Sequence, residues 1–223
     1  MNVPASYGIL PMIIGSVLIT AMSCIAAVPV SIMVACYLAF DCPKKIYRIL
    51  KPALNLMTGI PSIVYGFFAL TVIVPINRSL FGGTGMNMLS AAILLLIMVL
   101  PTIISMAEAS LRTVPKSFYQ GSLSLGATHD ETITRVMVPA AKSGIFAGII
   151  LGVGRAIGET MAVILVAGNQ TRLTFNPLKG IRTMTTNIVL EMAYAAGEHR
   201  QALIATAAVL FIFILLILSL IHI

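Results

Sequence analysis

Charged side chains are scarce in this sequence. Asp, Glu, Lys and Arg make up 9% of its 223 residues, whereas 59% are hydrophobic and the mean hydropathy is +1.03. A soluble domain typically carries about 25% charged residues. The shortage of charge excludes an ordinary soluble protein, so residues 1–223 are expected to form a single polytopic, all-α transmembrane domain.

Cysteine and histidine are equally few, with three of each. Cys24, Cys36 and Cys42 lie in or just after the first apolar segment and lack the paired spacing of metal ligands. We interpret them as small apolar residues rather than as a disulfide or metal site. The histidines are scattered, and none has a partner at metal-ligand spacing, so no metal site is expected.

Nucleotide-binding and catalytic motifs are missing as well. The sequence contains no G-x-x-x-x-G-K-[ST] loop, so the chain is not expected to bind ATP in the usual way. Its apolar segments hold no clustered nucleophile, base and metal ligands, which argues against an enzyme and against a bound cofactor. The net charge of +7 is not accompanied by a basic cluster with interleaved aromatic residues, so nucleic acid is not an expected partner.

Long apolar segments are what the sequence does contain. A transmembrane helix needs about 20 predominantly apolar residues. Pro29, Pro61 and Pro101 lie inside such segments and are expected to kink or break them. The five candidate spans are 13–40, 53–76, 88–107, 143–167 and 201–221.

The connecting segments predict the orientation of the chain, because cytoplasmic loops carry an excess of Lys and Arg. The loop at 108–142 is basic, whereas the loop after the second span contains only Arg78. The loop at 168–200 also carries four basic residues, but longer loops follow the rule less strictly. We predict an external N-terminus and a cytoplasmic C-terminus in the plasma (inner) membrane. The segment after the first span is basic too, with Lys44, Lys45, Arg48 and Lys51.

Two opposite charges lie inside the fourth candidate span. Arg155 and Glu159 are four residues apart, and a charge at mid-membrane costs at least about 2.5–3.5 kcal/mol. On a continuous helix both would share a face with Gly144, Gly148 and Gly152, which would let another helix approach closely. We predict that the pair lines a substrate path. The alternative is an ion pair within one helix that stabilises packing alone.

The loop at 108–142 is long for a connection between spans, which suggests that it has a task of its own. Thr128 and Glu131 have the spacing of a helix capping box, and Gly126 before them permits a backbone turn that a Cβ would hinder. Within the loop at 168–200, apolar and polar residues of the segment 181–200 alternate at helical spacing, which predicts a helix lying on the surface.

The loop at 108–142 resembles the coupling loop of ABC importer permeases, which reads E-A-A, three residues, Gly, nine residues, I-x-L-P. Gly126 and Pro139 match this pattern, and the E-A-A positions are occupied by Gln120, Gly121 and Ser122, which is a departure. In that family the loop forms a short helix that docks in a groove on the ATPase subunit. The resemblance implies a contact over Gly121 to Asp130, and the implied coupling residues are Gln120, Gly121, Ser122, Gly126, Ala127, Thr128 and Pro139.

Two further stretches resemble PstC-type phosphate permeases. They are GIPSIVYGFFAL, from Gly59 to Leu70, and GRAIGETMAVILVAGN, from Gly154 to Asn169. The resemblance covers the chain from Tyr7 onward. Permeases of this type usually have an additional helix before the Y-G-x-L-P element, which here stands at 7–11. The resemblance also suggests that Pro61, Tyr65 and Gly66 shape a gate, although a helix kink without a transport role is the alternative.

The resemblance implies a type I ABC importer permease core of five transmembrane helices with a cytoplasmic coupling helix. Its expected task is to move inorganic phosphate into the cell. The expected partners are two ATPase subunits that bind ATP and Mg, a second related permease, an extracytoplasmic phosphate-binding protein and membrane lipid. A sulfate, molybdate or tungstate permease shares the R-A-x-G-E core and is the nearest alternative. An anion channel is more remote, because a channel needs no loop for docking an ATPase.

Overall fold

The computed structural model describes residues 8–220, and this part of the chain is built from helices. Among those residues the β-type pairing is limited to one isolated bridge between Gly168 and Ile181, so the all-α prediction is confirmed. Short π-helical segments lie at Tyr37–Asp41, Ala69–Ile73 and Ile133–Met137. The α-helices are α1 (Leu10–Cys36), α2 (Lys44–Gly59), α3 (Ser62–Phe68), α4 (Val74–Phe81), α5 (Met88–Thr113), α6 (Lys116–Ser124), α7 (His129–Thr132), α8 (Val138–Ala140), α9 (Lys142–Gly158), α10 (Met161–Val166), α11 (Met184–Met192) and α12 (Gly197–Ser219).

Four helical stretches within residues 8–220 are long and apolar enough to cross a membrane. A fifth crossing results if His129–Ala140 and Lys142–Gly158, which are bent by 72°, count as one span. The third stretch extends beyond the predicted end at residue 107, so the connection to α6 is shorter than predicted. The four stretches are Leu10–Asp41, Ser62–Phe81, Met88–Thr113 and Gly197–Ser219.

The second span differs from the predicted 53–76. Residues 53–59 belong to the separate helix α2, and the crossing helix starts only at Ser62. Ile60 between them is extended, with φ −70° and ψ 130°, because the ring of Pro61 disfavours helical backbone in the residue before it. Pro29 and Pro101, by contrast, lie inside helices that continue past them.

Helix α5 forms the centre of the bundle, with α1 and α9 packed along it. Its central turns are almost fully buried and include Leu94, Leu95, Met98, Val99 and Ile103. α12 lies at the periphery, where Leu203 and Thr206 are its buried residues. A long helix surrounded by others must be apolar on most faces, which explains the nearly continuous apolar sequence of α5.

Small residues set the contact between α9 and α5. A Cβ built on Gly148 would lie 2.8 Å from Met106 Cβ, and one on Gly152 would lie 2.8 Å from Ile103 Cγ1. Gly144 faces Ser110 in the same way. The predicted close approach of a second helix to this glycine face is therefore confirmed, and α5 is that helix.

Part of the segment from 168 to 200 is buried in the helical bundle, which was not predicted. α11 begins at Met184, and its first turn is buried rather than lying on the surface. Thr183 and Thr186 cap each other's backbone, which satisfies the polar groups of this turn internally. The Met184 amide donates to Ser16 Oγ of α1 at 3.0 Å, so the predicted helix is present but its first turn does not lie on the surface.

Candidate functional site

The fourth span is interrupted at the second of its two charges. α9 ends at Gly158, and Glu159 is extended with φ −69° and ψ 131°. Glu159 Oε1 accepts hydrogen bonds from the amides of Thr160 and Ala162, each at 3.1 Å. A carboxylate at a helix start satisfies free amides and complements the helix dipole, so Glu159 caps α10. The prediction of one continuous helix over 143–167 is therefore wrong.

Arg155 lies in the last turn of α9, half-buried against α5. Its Nη1 donates to Thr102 Oγ1 at 3.4 Å, a long contact compared with the usual 2.7–3.2 Å. Thr102 is near the middle of the 26-residue helix α5, roughly 20 Å from either end at 1.5 Å per residue. Arg155 is thus a cation at mid-depth, and most of its donors are not used by the contact with Thr102.

The two charges do not pair. Among residues 8–220, no ion pair joins Arg155 to Glu159 or to another carboxylate. The alternative prediction, a neutralising ion pair that stabilises packing, is therefore not what the structure contains. Thr185 Oγ1 of α11 donates to the backbone oxygen of Glu159 at 2.9 Å and braces the interruption from a third helix.

The three residues predicted to shape a gate lie beside this interruption. Pro61 stands at the break between α2 and α3, and the buried Tyr65 hydroxyl donates to Met57 O at 2.8 Å across that break. A Cβ on Gly66 would lie 2.8 Å from Ala162 Cα, so only glycine lets α3 pack this closely on α10. The structure therefore brings α3, the start of the second span after the break at Pro61, into contact with α10 of the interrupted fourth span.

The predicted coupling residues form a compact helical segment at one end of the bundle. Gln120, Gly121 and Ser122 lie on α6, and Pro139 lies in α8. The Ser122 and Thr132 hydroxyls are 2.9 Å apart, which joins α6 to α7. The segment comprises α6, α7, α8 and the turn at 125–128, and we refer to it as the coupling segment.

The turn in the coupling segment has the predicted geometry. Gly126 has φ +89°, in the region that L-residues rarely adopt, and Ala127 follows it directly. Thr128 and Glu131 form the predicted capping box at the start of α7. Leu125, just before the turn, is 91% exposed, so an apolar side chain stands at the tip of the segment.

Comparison with known proteins identifies the family. The model of the family described as "Binding-protein-dependent transport system inner membrane component" matches residues 27–223. The chain belongs to this family. It is a multi-pass permease component of the inner membrane, and its helical bundle has the fold of ABC importer permeases.

Individual relatives agree with the family assignment. The permease is 40% identical to the probable ABC transporter permease protein YqgH of Bacillus subtilis over 95% of this chain and 71% of that protein. It is 33% identical to the phosphate transport system permease protein PstC of Mesorhizobium japonicum, over 97% of this chain and 73% of that one. The PstC of Xylella fastidiosa is 34% identical over 92% of this chain and 70% of its own length.

Solved structures show the same fold at lower identity. An inward-facing structure of the MetNI methionine ABC transporter has a TM-score of 0.78 and 18% identity, covering 100% of this chain and 96% of that one. A bacterial alginate ABC transporter in complex with a pentasaccharide-bound periplasmic protein has a TM-score of 0.64 and 15% identity. It covers 95% of this chain and 76% of that one.

Sequence reasoning missed the side chains that attach the permease's coupling segment to the bundle. His129 Nε2 lies 2.6 Å from Asp41 Oδ1 at the end of the first span, and its Nδ1 lies 2.6 Å from the Tyr119 hydroxyl. The Tyr119 ring stacks on Phe40 with centroids 6.1 Å apart. The partner of His129, Asp41, is 88 residues away in sequence, a separation that no local spacing reveals.

A buried carboxylate at the same end of the permease was also missed. Glu108 is 1% exposed and accepts from Lys51 Nζ at 2.6 Å, Arg112 Nε at 2.6 Å and the Tyr47 hydroxyl at 2.7 Å. Donation to this carboxylate raises the pKa of Tyr47 above its ordinary value. The available signal is a lone Glu between the apolar residues Ala107 and Leu111, at the start of the predicted loop 108–142.

Proposed function

We propose that this chain is the permease subunit of an ATP-driven importer that moves inorganic phosphate into the cell, energised by a separate ATPase subunit. The observation that carries the proposal is Arg155, a mid-depth cation without an ion pair among residues 8–220. A permanent charge in this position is costly unless it faces a water-filled cavity, and such charges commonly mark the path of an ion through the membrane. Phosphate is proposed over other anions because relatives of this chain are named as phosphate permeases.

Arg155 is suited to phosphate by its donor geometry. The guanidinium presents a planar fork of N–H donors that matches phosphate oxygens bidentately, and it stays charged at any physiological pH. Its single contact with Thr102 leaves donors for a passing anion. Glu159 fixes the shape of the interruption by capping α10. Its negative charge, four residues from Arg155 in the chain, moderates binding, so that phosphate is released rather than trapped.

The coupling segment is the proposed contact with the ATPase. Two ATPase copies, with ATP and Mg bound on their side, are expected to receive it at Gly121 to Asp130. Support comes from the exposed Leu125 at its tip and from the positive-φ turn at Gly126 beside it. The hydrogen bonds of His129 to Asp41 and Tyr119 then transmit movement of the segment to the first span.

The remaining partners are assigned by orientation. We place the N-terminus outside and the C-terminus in the cytoplasm, which puts the coupling segment inside the cell. An external phosphate-binding protein then meets the segment at 168–200. A second related permease completes the path, because the half-buried Arg155 leaves one side of the site uncovered in a single subunit.

The test is ATP-dependent uptake of labelled phosphate by cells in which the gene is deleted and then restored. We expect uptake to return with the gene and to resist excess sulfate and molybdate. Arg155→Gln should lower the rate at least about tenfold, since a hydrogen bond to a charged group contributes about 1.5–3 kcal/mol. Arg78→Gln, at an exposed arginine outside the site, is the matched control and should transport normally.

Displacement of phosphate by sulfate or molybdate would contradict the assignment of phosphate as the substrate but would leave the assignment as an ATP-driven importer intact. Uptake that continues without ATP would favour an anion channel instead. Normal uptake by Arg155→Gln would remove Arg155 from the path.

A further inference from the structure

Helix α2 exposes an apolar stripe. Its apolar residues recur at helical spacing and occupy one side of the helix: Ile46, Ile49, Leu50, Ala53, Leu56 and Met57. No residue of α2 is buried, and Ile49 and Leu56 are each 72% exposed. An apolar stripe on the surface of a helix is stable when it faces an apolar environment such as the interior of a lipid bilayer.

The basic side of α2 faces the bundle. Lys44, Arg48 and Lys51 lie roughly opposite the apolar stripe at 100° per residue. Tyr47 and Lys51, on this side, donate to Glu108 of α5. The arrangement is the reverse of a helix on a soluble protein, which turns its apolar side inward, and it is the one expected of a helix embedded at the membrane boundary.

A cavity of about 570 Å³ lies between α2 and the ends of the first span and α5. Its lining contains four cations, which belong to Lys44, Arg48, Lys51 and Arg112. Among residues 8–220, no acidic side chain lines the cavity. Glu108 behind it neutralises one charge, shared between Lys51 and Arg112. The remaining lining residues are Leu38, Ala39, Cys42, Tyr47 and Pro52.

We propose that this cavity binds the phosphate-containing headgroup of an anionic phospholipid, and that the apolar stripe on the opposite side of α2 faces the surrounding lipid. Excess positive charge matches the phosphodiester, and basic pockets beside transmembrane helices bind anionic headgroups. Its volume is in the range of pockets for organic ligands, about 300–1,000 Å³, and inorganic phosphate would leave most of it empty. The apolar part of the lining, which includes Leu38, Ala39 and Pro52, offers no contact to inorganic phosphate but can pack against the apolar part of a lipid.

The bound lipid braces the end of the bundle that carries the coupling segment. Arg112 Nη2 donates to Leu38 O at 2.7 Å, so the cavity wall already joins the first span to α5. A headgroup that contacts Lys44 and Arg48 adds α2 to this connection. The site lies away from Arg155 and does not depend on which anion the permease transports.

The test uses the assembled importer, purified, delipidated and supplied with phosphatidylglycerol, phosphatidylcholine or inorganic phosphate. The variant is Lys44→Gln with Arg48→Gln, because these side chains make no hydrogen bond or ion pair with any of residues 8–220 and their loss leaves Glu108 paired. Lys45→Gln is the matched control, since Lys45 is on the same helix but outside the cavity lining. Retained lipid is counted by native mass spectrometry, and binding is titrated by thermal stability.

We expect phosphatidylglycerol, but neither phosphatidylcholine nor inorganic phosphate, to bind and to raise the unfolding midpoint. The double variant should bind it about thirtyfold more weakly, since each cation near an anionic headgroup strengthens binding about fivefold. Equal weakening by Lys45→Gln would overturn the cavity. Protection by inorganic phosphate alone would show that the cavity binds free phosphate and not a lipid headgroup. A complex that binds no lipid because a partner subunit covers α2 would overturn the proposal altogether.

Discussion

At the scale of single residues, Arg155 and Glu159 divide two tasks that their spacing suggests they share. Arg155 lies in the last turn of α9 and donates to Thr102 of α5. Glu159 lies just after the end of α9 and accepts hydrogen bonds from amides at the start of α10. The carboxylate therefore serves backbone geometry first. Its charge and its capping oxygen are separable by substitution, because an amide oxygen can accept the same hydrogen bonds.

Glu159→Gln and Glu159→Ala are expected to differ for this reason. The glutamine keeps an acceptor for the amides of Thr160 and Ala162 and should preserve the stability of the complex. The alanine loses the cap, which costs about 0.5–2 kcal/mol, and should lower both the unfolding midpoint and the transport rate. Thermal unfolding and phosphate uptake of the two variants, measured side by side, check this. Equal stability of both would show that the cap contributes nothing.

At the scale of elements, the structure depends on interruptions in otherwise helical segments. α3 starts after Pro61, and α10 starts after Glu159 and Thr160, and the two short helices pack together at Gly66 and Ala162. The turn at Gly126 interrupts the coupling segment in the same way. Each interruption frees backbone N–H and C=O groups at one position in the bundle or on its surface, whereas a continuous helix uses these groups in its own hydrogen bonds.

Gly126→Val is expected to uncouple ATP hydrolysis from transport. A Cβ at Gly126 meets no atom within 4 Å, so the cost comes from φ +89°, which disfavours L-residues by about 1–2 kcal/mol. The strain should distort the tip at Leu125 and leave membrane insertion intact. Gly83→Val is the matched control, because Gly83 has φ +72° and equally open surroundings but lies outside the coupling segment. ATPase and uptake rates of the assembled complex are compared, and equal effects of both substitutions would rule out a specific coupling role.

At the scale of the whole molecule, α5 and one buried carboxylate organise the end of the bundle that carries the coupling segment. Glu108 on α5 holds Lys51 of α2 and Arg112 of its own helix, and Arg112 in turn reaches Leu38 O. Three elements distant in sequence are thereby joined through a single side chain. A buried carboxylate with three donors is stable only as long as those donors stay in place.

Glu108→Gln should destabilise the whole complex. The amide keeps the shape of the carboxylate but loses the charge-assisted hydrogen bonds, which contribute about 1.5–3 kcal/mol. Lys51 and Arg112 are 27% and 45% exposed, so water compensates part of their loss. We expect a lower unfolding midpoint by several degrees, at roughly 2–4 °C for each kcal/mol. Glu198→Gln, at an exposed glutamate of α12, is the control, and an equal change there would make the Glu108 effect unspecific.

Much of this architecture was predictable from local chemistry. Apolar runs located four crossing stretches, three of them to within about six residues at each end, and glycine spacing identified the face of α9 that meets α5. The capping box of Thr128 and Glu131 was readable because both partners lie within one turn. Family resemblance added the coupling segment and its partners, and the docking of that segment stays a prediction.

The sequence by itself determined that the chain spans a membrane as a helical permease and carries a cation within its fourth span, since hydrophobicity and residue spacing are properties of the chain alone. Only the tertiary structure decided what the charged side chains contact. Glu159 caps α10 instead of pairing with Arg155, and Glu108 joins α2 to α5. Partners separated by dozens of residues are selected by packing and by the cost of burying an unpaired charge, and neither has a local spacing in the sequence.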